Sequence, residues 1–317
     1  MSKSWPAVFL VALLAHATAA RAETRQVLVS PGEILRVGVT GTGPDVVFIP
    51  GLFGSAFGFR KLVQPLNDDG YRVILLEPLG IGGSGRPEGA DYSLTAQADR
   101  VAAVLAALEA DRAVVVAHSV GASIALRLAH RHPERVSAVV SLDGGPAEVA
   151  ATSGFRWAMR FAPLIKLFGG TSRIRSRVRS TLVTRSADPR WVTDEVVDGY
   201  MGAAAQDLDG ALRAYRQMAS AREPEELQKH LRDVRCPVRL VMGTATRAGG
   251  INQAEIDLLR ERLLSFAVET VPDAGNFVFE EKPLAVVAAV ERAAGSARLQ
   301  AAVAQPLVVE SHPHDRR

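Results

Sequence analysis

The chain reads as an α/β protein in which a mainly parallel sheet, flanked by helices, carries an inserted helical cap. Three observations point there. Short apolar runs alternate with amphipathic stretches over residues 23–145 and 233–295. Runs such as Val114-Val115-Val116 are apolar at consecutive positions, as expected of strands covered on both faces. Between these regions, residues 146–232 show helical periodicity and no strand pattern.

The elements follow in order. Arg25–Ser30 and Glu33–Thr40 form an antiparallel pair, because Pro31-Gly32 supplies a tight turn between them. Then come strand Asp45–Ile49, helix Ala56–Asn67, strand Tyr71–Glu77 and helix Leu94–Leu108. Strand Ala113–His118, helix Val120–His130 and strand Val136–Asp143 complete the first half. After the cap, strand Pro237–Gly243, helix Asn252–Leu264 and strand Phe266–Val271 resume the alternation, and Leu284–Ala294 makes a last helix. Beyond Gly295 the pattern weakens, so residues 296–317 are expected to form a flexible tail.

The first 22 residues stand apart. Lys3 supplies a positive start, Ala7–Ala15 an apolar core, and Ala20-Arg21-Ala22 a small-x-small cleavage site, the pattern of a secretory signal. The apolar run is far shorter than the roughly 20 residues a membrane span needs. The mature protein is therefore expected from Glu23 onward, periplasmic or secreted.

At 317 residues, with 48% hydrophobic and 22% charged residues, the composition is that of an ordinary soluble globular protein. Losing Lys3 and Arg21 takes the net charge from +3 to +1, so overall charge selects no partner. Locally, residues 151–190 carry nine basic residues against Asp188 alone, a net +8. That run offers a patch for anionic lipid, and so peripheral membrane contact through the cap, or for an acidic substrate, but a solvated helix face is the favoured explanation. It lacks the interleaved aromatics of a nucleic-acid surface. Cys236 is the single cysteine, which excludes an internal disulfide.

The chemistry concentrates at Ala117-His118-Ser119-Val120-Gly121, between a strand and a helix. Small residues two before and two after Ser119 allow a sharp turn that exposes its hydroxyl as a nucleophile. Upstream, Ile49-Pro-Gly-Leu-Phe-Gly-Ser55 follows another strand, and Glu77-Pro-Leu-Gly-Ile-Gly-Gly-Ser-Gly85 a third. Downstream lies Asp273-Ala-Gly-Asn-Phe-Val-Phe-Glu-Glu-Lys-Pro283. Together these segments resemble the α/β-hydrolase superfamily, in its serine esterase and haloperoxidase-like branch, over roughly Glu33–Ala294. The resemblance implies an α/β-hydrolase fold, with Ser119 as nucleophile and the amides of Leu52 and Val120 as oxyanion donors.

Two departures matter. Asn276 occupies the position where the family carries its catalytic histidine, and an amide cannot accept a proton from serine near neutral pH. Thr246, in Gly243-Thr-Ala-Thr246, stands where the family's acid is expected. Asp143, at the end of its strand, is a candidate relocated acid. His230 or the tail residues His312 and His314 are the candidates for a displaced base.

The motif Gly80-Ile-Gly-Gly-Ser-Gly85 formally matches a dinucleotide-binding loop, but Arg86-Pro-Glu-Gly89 continues as loop where that motif needs a helix. No His, Cys or carboxylate set shows metal-ligand spacing. No metal, cofactor or nucleic acid is expected. The expectation is a small apolar or ester-like ligand held by a serine-hydrolase scaffold that hydrolyses weakly or not at all; an active ester hydrolase with a displaced base is the alternative.

Overall fold

The computed structural model describes residues 23–150, 162–245 and 250–304. The leader, Thr246, His312 and His314 lie outside the described residues.

Eight strands make one sheet in the order β1-β2-β4-β3-β5-β6-β7-β8. They are β1 (Glu23–Ser30), β2 (Glu33–Thr40), β3 (Asp45–Ile49), β4 (Arg72–Glu77), β5 (Ala113–His118), β6 (Val136–Leu142), β7 (Val238–Gly243) and β8 (Phe266–Val271). The β1·β2 and β2·β4 pairings are antiparallel and the rest are parallel. The apolar runs explain this burial. Val115, Ala117 and Val139 face one layer of core, while Val114, Val116 and Val140 face the other. Helices α2 (Leu94–Ala107) and α3 (Val120–Arg131) cover the first layer. Helix α1 (Arg60–Asp68) and the C-terminal helix cover the second.

The expected helix over Ala56–Asn67 is two elements, a 3₁₀ turn (Ala56–Phe59) leading into α1. The 146–232 insert contains α4 (Ala162–Thr184), α5 (Asp194–Gln206), α6 (Leu208–Ser220) and the single turn α7 (Leu227–His230). Their starts are written in the sequence. Thr193 accepts the Val196 N–H at 3.3 Å, and Asp207 accepts the Gly210 N–H at 2.9 Å. After β7, Asn252 and Glu255 form a reciprocal capping box that opens α8 (Gln253–Arg262).

One expectation is corrected. After the short α9 (Val278–Glu281), helix α10 runs from Pro283 through Ala304, so residues 296–304 are not a loose tail. Gly295 does not end the helix because Ala293, Ala294 and Ala297 remain buried on the sheet-facing side. Gln300 Nε2 also donates to the Arg235 carbonyl at 2.9 Å.

The cap is tied to the core through a buried cation. Arg127 of α3 is fully buried and bonds Thr95 and Ser123 of the core. It also pairs with Glu148 at 3.0 Å and Glu223 at 3.3 Å, at the two ends of the insert. Much of the described basic run is neutralised within the cap. Arg175 pairs with Asp194 and Asp198, Arg179 with Asp194, and Arg190 with Asp188.

Candidate active site at the carboxyl ends of the strands

Ser119 follows β5 directly and opens α3 with φ 53° and ψ −125°. A left-handed backbone at a non-glycine residue costs about 1–3 kcal/mol unless its surroundings hold it. Here they do. The Ser119 N–H donates to the Leu142 carbonyl at 3.0 Å, and the Ser119 carbonyl accepts from Ala122 at 2.9 Å. A Cβ at Gly121 would lie 2.8 Å from the Ile49 carbonyl oxygen and 2.9 Å from that of Pro50. A Cβ at Gly144 would collide with the Ser119 carbonyl oxygen. The small residues flanking the serine thus answer to backbone crowding from two neighbouring loops.

The loop after β3 turns tightly, with the Gly54 N–H on the Gly51 carbonyl at 2.9 Å. Leu52 is buried and Val120 half-buried, and both line one apolar cavity of about 10 Å³, about the room a single water occupies. Met218 of cap helix α6 closes that cavity. Val120 is the first residue of α3, so its N–H belongs to the donors a helix start leaves without an intrahelical partner.

Sequence reasoning missed what braces this loop. Glu77, almost fully buried, accepts the Ala56 N–H at 2.8 Å and the Gly83 N–H at 2.7 Å. One carboxylate therefore joins the loop after β3 to the glycine-rich loop after β4. The signal was present as the acid opening Glu77-Pro-Leu-Gly80, but its two amide partners are set by folding.

Asn276 is buried at the turn after β8, and its backbone N–H donates to the Arg185 carbonyl of the cap at 2.9 Å. That turn is clamped from below as well, because the Ala245 N–H donates to the Ala274 carbonyl at 3.0 Å. The imidazole of His118 hydrogen-bonds the backbone of Asn276 and packs against Phe277 (5.7 Å) and Phe279 (4.9 Å). Burial lowers its pKa to about 4, so the ring is neutral near pH 7. The β8 turn is thus brought against the residue preceding Ser119.

Asp143 ends β6, with φ 52° and its N–H on the Val241 carbonyl at 3.0 Å. Its carboxyl is buried against Gly250 and accepts a hydrogen bond from the backbone of Ile251. Burial raises its pKa to about 7, against the opposing influences of that bond and of the Arg185 charge.

The chain matches the model of the alpha/beta hydrolase fold family over residues 44–168. It is 37% identical over 116 residues to a 2-hydroxymuconate semialdehyde hydrolase of a Pseudomonas species, covering 37% of this chain and 38% of that protein. The chain thus spans about two fifths of that relative's length. It is 27% identical over 256 residues to a 2-(acetamidomethylene)succinate hydrolase of Mesorhizobium japonicum, covering 78% and 87% of the two chains. Among solved structures, Cfl2 from Burkholderia cenocepacia aligns with a TM-score of 0.70 at 23% identity, over 85% of this chain and 94% of that one. An esterase from Exiguobacterium antarcticum aligns at 0.69 and 18%, over 86% and 99%. At these identities the structural likeness is one of fold.

The chain has the α/β-hydrolase fold.

Within this α/β-hydrolase fold, the described imidazoles other than His118 are far from the elbow. His130 and His132 lie at the opposite end of α3, about 16 Å along the axis from Ser119. His230 does not lean over the site. It stacks on His130 with ring centroids 4.5 Å apart, because the turn that ends the insert packs on the C-terminal end of α3. His132 is engaged with Asp99 at 2.8 Å.

Proposed function

We propose that this α/β-hydrolase-fold protein binds a small, largely apolar or ester-like molecule above Ser119 and turns it over weakly or not at all. The observation that carries this reading is Asn276 at the turn after β8, against His118. Ser119 keeps the strained elbow of a nucleophile, and the Leu52 and Val120 amides stand at the oxyanion positions. Where the family carries the group that takes the serine proton, this chain carries an amide that cannot. His118 is a poor substitute, since its ring is bonded to the Asn276 backbone and held neutral with a depressed pKa. Removing the base of a serine triad costs about 10⁶ in turnover, while an oxyanion hole alone retains roughly 10³–10⁴ over water. Binding with residual hydrolysis follows from those magnitudes.

The test combines purified protein with short-chain nitrophenyl esters and a fluorophosphonate probe. Slow or absent labelling of Ser119 is expected, whereas rapid stoichiometric labelling would refute the reading.

A second reading, an active ester hydrolase with a displaced base, draws support from Asp143. Asp143 would serve there as the relocated acid, buried at the tip of the strand beside the one that ends at the elbow, with a tail histidine as the base. Under that reading Asp143→Asn abolishes any measured esterase rate.

We also place the mature protein outside the cytoplasm, on the leader pattern of residues 1–22. N-terminal sequencing of the exported protein should begin at Glu23. Membrane contact through the cap is weakened by the internal pairing of Arg175, Arg179 and Arg190.

A further inference from the structure

We propose that His130, His230 and Asp233 bind one divalent transition-metal ion of the zinc class, at the point where the cap rejoins the core. Each residue offers one ligand atom, and the three atoms lie within 4.8 Å of one another. Asp233 Oδ2 is 3.2 Å from His230 Nδ1 and 3.8 Å from His130 Nδ1, so a single oxygen faces both rings. Zinc bonds of about 2.0–2.1 Å in a tetrahedron place neighbouring ligand atoms roughly 3.3 Å apart. The separation of 3.2 Å already fits, the one of 3.8 Å needs about half an ångström of closure, and the two ring nitrogens lie within 4.8 Å of each other before any ion draws them in.

The chemistry of the set agrees with its geometry. Two imidazoles and one carboxylate suit zinc, copper or nickel, and disfavour magnesium or calcium, which take oxygen ligands. A plain hydrogen-bond network leaves the arrangement unexplained. His230 is within reach of Asp233, but His130 Nδ1 is buried without a hydrogen-bond partner, and a buried polar atom in that state is costly. Both Nδ1 atoms approach the same Asp233 oxygen, and because the rings stack with 21° between their planes, one imidazole must turn about its Cβ–Cγ bond for both lone pairs to meet the ion. Arg131 and Glu225 are paired with each other at 2.9 Å, so a fourth ligand would come from solvent. Asp233 is largely exposed, so an ion reaches the site from solvent.

The location gives the ion a role distinct from the Ser119 chemistry. His130 belongs to the last turn of α3, His230 ends α7, and Asp233 closes the following 3₁₀ turn (Leu231–Asp233). A bound ion would staple the exit of the cap to the core helix that begins at Ser119. His230 and Asp233 are three residues apart, but His130 lies one hundred residues earlier, so the set does not show as a spacing motif.

The test titrates the full chain with Zn2+ by calorimetry and with Co2+ by visible absorption, alongside thermal melting. The variants are His230→Ala, His130→Gln and the tail double variant His312→Ala/His314→Ala. The expected outcome is one equivalent bound with a tetrahedral Co2+ spectrum and a raised melting temperature. Either site variant should then bind at least roughly 10–100-fold more weakly, a range already reached by outer-shell changes at metal sites. His230 lies on a partly exposed turn, so its loss leaves the fold intact for the comparison. Unchanged binding in both site variants, loss only in the tail variant, or no binding at micromolar zinc would overturn the proposal.

Discussion

Ser119 and Asp143 stand side by side at the tips of neighbouring parallel strands, both in the left-handed region, with φ of 53° and 52°. His118 is in register with Leu142, and the Ser119 N–H donates to the Leu142 carbonyl. Both residues sit at the carboxyl edge of the sheet, the edge on which open α/β sheets bind ligands, with the switch in strand order next to Ser119 between β3 and β5. Beside that pair lie the turn that carries Asn276 and the neutral imidazole of His118 bonded to its backbone.

Restoring the missing groups should restore turnover. Asn276→His combined with Thr246→Asp is expected to raise nitrophenyl ester hydrolysis at least about 100-fold, part of the roughly 10⁶ that a triad base is worth. Steady-state kcat/KM on acetate and butyrate esters is the measure. No gain would mean that the loops after β3 and β8 no longer present reacting atoms to one another.

The two buried titrating groups should pull stability in opposite directions with pH. Asp143 has a folded pKa of about 7 against 3.8 for an unperturbed carboxyl. Its contribution is fully present below 3.8 and is lost as pH rises through 7, a change of about 4 kcal/mol. His118 behaves conversely: with a folded pKa of about 4 against 6.5, its contribution is present above 6.5 and lost as pH falls through 4. The wild type should therefore show a shallow profile between pH 4 and 6.5. Asp143→Asn should leave stability rising with pH over that window, and His118→Asn should leave it falling. Urea denaturation at several pH values distinguishes them, and parallel profiles for the two variants would contradict the assignment.

Glu77→Gln should destabilise by about 1–3 kcal/mol, although the side chain keeps its shape. A glutamine presents an NH₂ group where one of the two amides, Ala56 or Gly83, needs an acceptor. Denaturation midpoints measure the loss, and ligand binding should weaken with it because the loop bearing Leu52 leads into Ala56.

Arg127→Met should cost about 3 kcal/mol, at the lower end for breaking a buried ion pair. The Glu223 carboxylate retains the N–H groups of Leu94 and Thr95 and the Thr95 hydroxyl, which soften the loss. Limited proteolysis should then cut within the cap faster than in the wild type, while the sheet stays protected. Equal cleavage rates would show that the cap is held by its apolar contacts alone.

Strand and helix identity is legible along the chain because periodicity, turn chemistry and capping are local. Val114-Val115-Val116 announces a strand buried on both faces, and Asn252 with Glu255 announces a helix start. The elbow at Ser119 is legible for the same reason, since its crowding demands small residues close by in sequence. Gly295 misleads because a helix continues through glycine when alanines on its buried face still pack, and that packing is a property of the assembled core. The substitution at 276 is visible in the sequence, but its setting is not. The bond from His118 to the Asn276 backbone, the burial that raises Asp143, and Glu77 bridging two loops all join distant segments. So does the meeting of His130, His230 and Asp233. A local pattern states which groups the chain carries; their distances and solvation, and hence their protonation and partners, arise only when the sheet and cap close around them.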